Sequence, residues 1–135
     1  MQITRQADYA LRAVVYLSQL GENEKAATGI IAQQQMIPPS FLAKIISQLS
    51  VAGIIHTSRG ARGGVSLAKP ANEISILDVV EAIDGPFFLN ECTKSSTDCQ
   101  FLGNCPLQEI WCEARTALVD RLSSAKFSLY KVSTN

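Results

Sequence analysis

The pair Pro38-Pro39 splits a helical stretch into two short pieces, so the chain has to turn there. Proline lacks an N–H and turns the residue before it away from helix, yet it fits the first turn of a new helix. The pattern therefore predicts a short helix from Thr28 to Met36 with Thr28 as its cap, then a turn over 36–38. A further helix follows from about Pro39 to Ala52, with Phe41, Leu42, Ile45, Ile46 and Leu49 as its apolar face and Gly53 as its stop. Upstream, Ile3, Ala7, Ala10, Leu11, Val14, Val15 and Leu17 recur at helical spacing over 3–20, between a Thr4 cap and Gly21. Two short helices joined by a tight turn read as helix-turn-helix.

The next residues narrow that reading. Ile54 to Thr57 and Val65 to Ala68 have strand character, and the tip from Ser58 to Gly64 carries three glycines and two arginines. Arginines on a hairpin tip are badly placed for a core and well placed for a narrow minor groove. Ser75-Ile-Leu-Asp78 has the layout of a capping box for a helix that ends at Gly85-Pro86. The fold class expected is mainly α with a small β-hairpin wing: a winged helix-turn-helix followed by a long C-terminal dimerisation helix. The divisions are 1–85 for the DNA-binding domain, 86–105 for a cysteine loop and 106–135 for the dimerisation helix and tail.

That last helix starts near Pro106. Leu107, Ile110, Trp111, Ala114, Leu118 and Leu122 form a stripe that reads as a pairing surface for a second copy, with folding back onto its own domain as the alternative. Between them, Phe87-Phe88-Leu89 is expected to anchor the cysteine loop on the body.

Charge points to a polyanion at one end only. Net charge is zero, but residues 1–72 hold seven bases against three acids, and no acid lies between Lys25 and Lys69. The exposed side of the second helix of the motif offers Ser40, Lys44 and Ser47 to a major groove. Lys44 can donate to guanine or neutralise a phosphate. Arg59 and Arg62 are candidates for the minor groove or backbone, and Thr28 for a phosphate. The partner expected is double-stranded DNA.

Cys92, Cys99 and Cys105 follow one another as C-x6-C-x5-C in a stretch rich in Ser, Thr, Asn and Gly. No run approaches the ~18 apolar residues of a membrane span, and the start lacks a signal-peptide layout, so a cytoplasmic location with reduced thiols is expected. Clustered thiols in that compartment point to a metal or cluster rather than to disulfides. The fourth cysteine, Cys112, lies about two helical turns beyond Cys105, roughly 10 Å along the axis. That is too far to share one metal, so Cys112 is read as a small buried side chain. The single histidine, His56, is read as structural or phosphate-facing.

Taken together, several stretches resemble the IscR/NsrR-type iron–sulfur winged-helix transcription regulators. They are Thr4-Arg-Gln-Ala-Asp-Tyr-Ala-Leu-Arg-Ala13, Pro38-Pro-Ser-Phe-Leu-Ala-Lys-Ile45, Arg59-Gly-Ala-Arg-Gly-Gly64, Ile76 to Gly85, the three cysteines, and Cys105-Pro-Leu107 with Trp111. The resemblance covers nearly the whole chain in order. It implies a homodimer on a near-palindromic operator, with a cluster in the cysteine loop and repression as the expected mode. It further implies a [4Fe–4S] cluster on Cys92, Cys99 and Cys105, with [2Fe–2S] as the rival form. Asp8, matching a carboxylate that one branch supplies from the other subunit, is the implied fourth ligand. The branch with a histidine after the third cysteine is disfavoured, because Leu107 and Gln108 stand there. Competing readings are a cluster-free winged-helix regulator using its cysteines as a thiol redox sensor, and an interaction module docking an acidic partner. An enzyme is not expected, since no C-x-x-C is present and no histidine lies near a cysteine in sequence.

Overall fold

In the computed structural model, residues 2–21, 24–90 and 104–129 are described. Helix α1 (Arg5–Ser18) begins where Thr4 turns extended and its hydroxyl accepts from the Ala7 N–H at 3.1 Å, which makes Thr4 the cap expected of it. Ala7, Ala10 and Ala13 are fully buried along one face, with Val14 and Leu17 beside them. Such small side chains let other helices approach closely, and α1 is the element on which α2, α3 and α4 all pack.

Helix α2 (Thr28–Gln35) starts one residue earlier than a Thr28 cap implies. Its cap position is Ala27, and Thr28 is already helical and caps nothing. The reason is non-local. Ala26 and Val65 exchange backbone hydrogen bonds of 2.9 and 2.8 Å, and that bridge fixes where the extended chain ends. The Ala27 carbonyl then accepts from the Ile30 and Ile31 N–H groups, so the first turn closes on Ala27. At the far end Met36 adopts φ 53°, and the Ile37 N–H reaches back to the Ala32 carbonyl at 2.9 Å. This is the six-to-one closure that ends helices in a left-handed residue. A non-glycine residue there costs roughly 1–2 kcal/mol, and burial of Ile37 beside it helps to hold the turn.

Helix α3 (Pro39–Val51) has proline at its first position, as the sequence implies. Leu42, Ile45, Ile46 and Leu49 are buried. Phe41 is not part of that face; it is 40 % exposed and meets Tyr9 edge-on at 5.9 Å. Strands β1 (Ile55–Ser58) and β2 (Gly64–Leu67) pair antiparallel with Ile55 opposite Leu67 and Ser58 opposite Gly64. A single 3₁₀ turn, Ala71–Glu73, leads to α4 (Ile76–Asp84). Both bonds of the capping box are made there, at 3.0 Å each, between Ser75 and Asp78. At the other end of α4 the Asp84 carboxylate accepts from the Thr4 N–H and hydroxyl, which ties α4 to the start of α1.

Helix α5 (Gln108–Ser124) has no fully buried residue. Its body-facing side is Leu118, Val119 and Leu122, packed against Ala7, Val80 and Phe87. The chain then turns back on itself. Ile76 N–H donates to the Ala125 carbonyl at 2.9 Å, and Phe127 N–H to the Ile74 carbonyl at 3.1 Å. Phe127 is 1 % exposed, the largest fully buried side chain among the described residues, and it belongs to the same core as Tyr9, Leu42 and Ile55.

Candidate nucleic-acid interface and cysteine segment

Burying four large residues on one side of α3 decides what the other side presents. Ser40, Lys44, Ser47 and Val51 recur along one exposed strip, with Ala43 at its margin. Lys44 is the only charged residue of α3, and it makes no hydrogen bond or ion pair among the described residues. Arg59 and Arg62 are likewise exposed and unpaired among them. Val51, 89 % exposed at the last position of the helix, has no packing role; being neither polar nor periodic with the core, it leaves no signal in the sequence.

The wing that carries the arginines is shaped by its glycines. Gly60 has φ 98°, a left-handed value that suits glycine. A Cβ on Gly63 would stand 2.4 Å from the Ser58 carbonyl oxygen, far inside contact distance. At the base, Lys25 Nζ donates to Ser58 Oγ at 3.1 Å, so the wing is held to the segment before α2 as well as by the Ala26 bridge. Thr28 stands exposed at the start of α2, and His56 is exposed on β1.

Asp8 is exposed on the first turn of α1, and Arg12 Nη2 donates to its carboxylate at 3.0 Å. Arg12 Nη1 donates at 3.0 Å to the carbonyl of Gln35, the last residue of α2. The guanidinium lies 4.8 Å above the Tyr9 ring, whose edge contact is Phe41 in α3. One arginine thus connects Asp8 with both helices of the helix-turn-helix. The sequence shows only that Asp8 and Arg12 are one turn apart; the contact with Gln35 spans 23 positions and leaves no local trace.

Cys105 is half-buried just before α5, and its carbonyl accepts from the Gln108 N–H at 3.2 Å. Cys92 and Cys99 lie outside the described residues. Among those described, no group of three His, Cys, Asp or Glu side chains stands close enough to hold a metal ion. Cys112 is exposed, not the buried side chain expected. Helix α5 meets the body through Arg115, Leu118, Val119 and Leu122, whereas Cys112 sits nearer its start beside Glu109, Glu113 and Thr116.

The stripe on α5 therefore divides. Leu118 and Leu122 are half-buried against their own domain. Leu107, Ile110 and Trp111 are 50, 54 and 39 % exposed, and Ala114 is exposed with them.

Residues 3–131 match the family profile described as "Rrf2: Iron-dependent Transcriptional regulator". The chain belongs to the Rrf2 family. Protein aau3 of Rhizobium meliloti (strain 1021) is 34 % identical over 123 residues, which is 90 % of this chain and 79 % of that one. Among solved structures, CymR of B. subtilis, the global cysteine regulator, superposes with a TM-score of 0.81 over 98 % of this chain and 99 % of that one, at 23 % identity. IscR of T. potens superposes with 0.74 over 95 % of this chain and 84 % of that one, at 20 % identity. These two likenesses carry the fold. The Rrf2 regulator is a DNA-binding transcription factor, and the winged helix expected from the proline break and the glycine hairpin is the one found. No described helix is long and apolar enough to cross a membrane.

Proposed function

We propose that this Rrf2 regulator binds its operator as a homodimer and that an iron–sulfur cluster sets the strength of that grip, with repression as the mode. The residues that would hold a [4Fe–4S] cluster are Cys92, Cys99 and Cys105, with Asp8 of the partner subunit at the fourth corner. The donor set suits such a group, because thiolates are its ordinary ligands and a carboxylate is a weaker, more labile one. A bound cluster supplies an iron that a small diatomic or an oxidant can attack.

The observation that carries the reading is the double engagement of Arg12. Its guanidinium holds the Asp8 carboxylate on one side and the end of α2 on the other. An exposed pair one helical turn apart is worth only about 0.5 kcal/mol, so Asp8 can leave Arg12 for a ligand role at little cost. Arg12 then holds Gln35 and the Tyr9 ring without its ion-pair partner, and the turn that aims α3 is held differently in the two states. The exposed Leu107, Ile110 and Trp111 support a second copy as the cover of the first half of α5. On the other face Ser40, Lys44 and Ser47 read the major groove, while Thr28, Arg59 and Arg62 contact phosphates or the minor groove.

Anaerobic reconstitution followed by iron and sulfide counting tests the assignment. Wild type is expected to take up one cluster per chain and Cys92→Ala to lose most of it. A wild-type protein that stays colourless after reconstitution moves the cysteines to the thiol-sensor reading.

A further inference from the structure

Past α4 the chain does not run free toward its cysteines. Phe87 is buried against Ala7 and Val80, and α5 lies beside it through Leu118 and Leu122. Arg115 then grips the next two residues at once. Its Nε–H donates to the Phe87 carbonyl, and its Cζ stands 5.0 Å from the centre of the Phe88 ring. A planar fork can hold a carbonyl and an aromatic face together, which a lysine ammonium does less well.

The second anchor lies on the same helix. The Cys105 carbonyl accepts from the N–H of Gln108, the first residue of α5. Arg115 is seven positions further along, about 10 Å of helical rise. Helix α5 therefore fixes the separation of two points that bracket the cysteines in sequence. From Phe88, Cys92 is four residues away, a span of at most about 14 Å. Fixing the two ends of a segment lowers the entropy cost of closing it around a shared ligand.

We propose that Arg115 is a positioning residue for the cofactor: by pinning Phe87-Phe88 to α5 it sets where the chain departs toward Cys92, and it slows loss of the bound cluster. This rests on the cluster reading above. Arg115 touches no ligand atom and acts only through the lead-in segment.

The test uses full-length protein reconstituted without oxygen, with cluster absorbance followed after addition of a chelator. Arg115→Met is expected to lose the cluster on the order of tenfold faster than wild type, since a charged hydrogen bond and a cation–π contact go together. Arg115→Lys is expected to recover part of that difference, and Asp120→Asn, exposed on the same helix, to match wild type. Amide exchange in the cluster-free proteins gives an independent readout: in Arg115→Met it should quicken at 87–90 while α1, α3 and the melting temperature stay as they are. Equal loss rates in wild type and both Arg115 variants would overturn the inference and leave the cluster reading standing. A wild type that takes up no cluster would bring down that reading and this inference with it.

Discussion

Helices α3 and α5 are thirteen and seventeen residues long, and they are completed to different degrees. α3 buries four large side chains in its own domain and shows solvent a strip of serines, one lysine and a valine. α5 buries nothing fully, and its first half shows solvent Leu107, Ile110 and Trp111. A helix that has buried most of its large apolar residues can turn its outer face to a polar, charged partner such as DNA. A helix whose apolar residues remain outside still needs an apolar cover. The outer face of α3 is finished in the monomer, and the proposed homodimer would finish the first half of α5.

The contrast between the two helices is broken most severely at Phe127. It pins the end of α5 into the core that α3 helps to build, so Phe127→Ala is expected to cost about 4 kcal/mol in a denaturant melt. A drop in stability under about 1 kcal/mol would mean that Phe127 does not hold the end of α5 to the core that α3 builds. Next comes the cover itself. The double change Ile110→Asp and Trp111→Asp should leave the far-UV spectrum intact and convert the protein to a monomer in sedimentation. Operator binding should fall at least about tenfold, as expected when two linked reading heads become one. A dimer that survives both charges would place the pairing surface elsewhere.

Changes at the reading end are expected to be smaller and confined to DNA. Gly63→Ala puts a Cβ against the Ser58 carbonyl and should distort the wing, weakening operator binding roughly tenfold while the helices melt as before. Arg59→Ala should lower the slope of log affinity against log salt by about one unit, because one phosphate is no longer neutralised. An unchanged slope would remove that arginine from the interface.

Much of this molecule is legible locally. Pro39, the Ser75–Asp78 box, the Thr4 cap and the glycine tip are each decided by a few neighbouring residues, and each is found where the chain implies it. What is not legible depends on distant partners. Thr28 has the chemistry of a cap, but the bridge from Ala26 to Val65 moves the helix start ahead of it. Phe127 shares the tail with Leu129, Tyr130 and Val132 without helical spacing to a partner, and only its bond to the Ile74 carbonyl and its place in the core show why it is buried. Cys112 is too far along the helix to join Cys105 on one metal, which suggests a buried place for it, yet it stands exposed where α5 has no body beneath it. Arg12 and Arg115 hold partners 23 and 28 positions away, distances at which periodicity says nothing.

Cluster content is held to govern the grip on DNA. The direct measurement is anisotropy of a labelled duplex, selected from a random pool by the reconstituted protein, recorded together with cluster absorbance as nitric oxide is added at fixed salt. Affinity falling at least about tenfold in step with the absorbance is the predicted result, a change of roughly 1.4 kcal/mol or more between the two states. A duplex still bound with undiminished affinity once the absorbance has gone would contradict it.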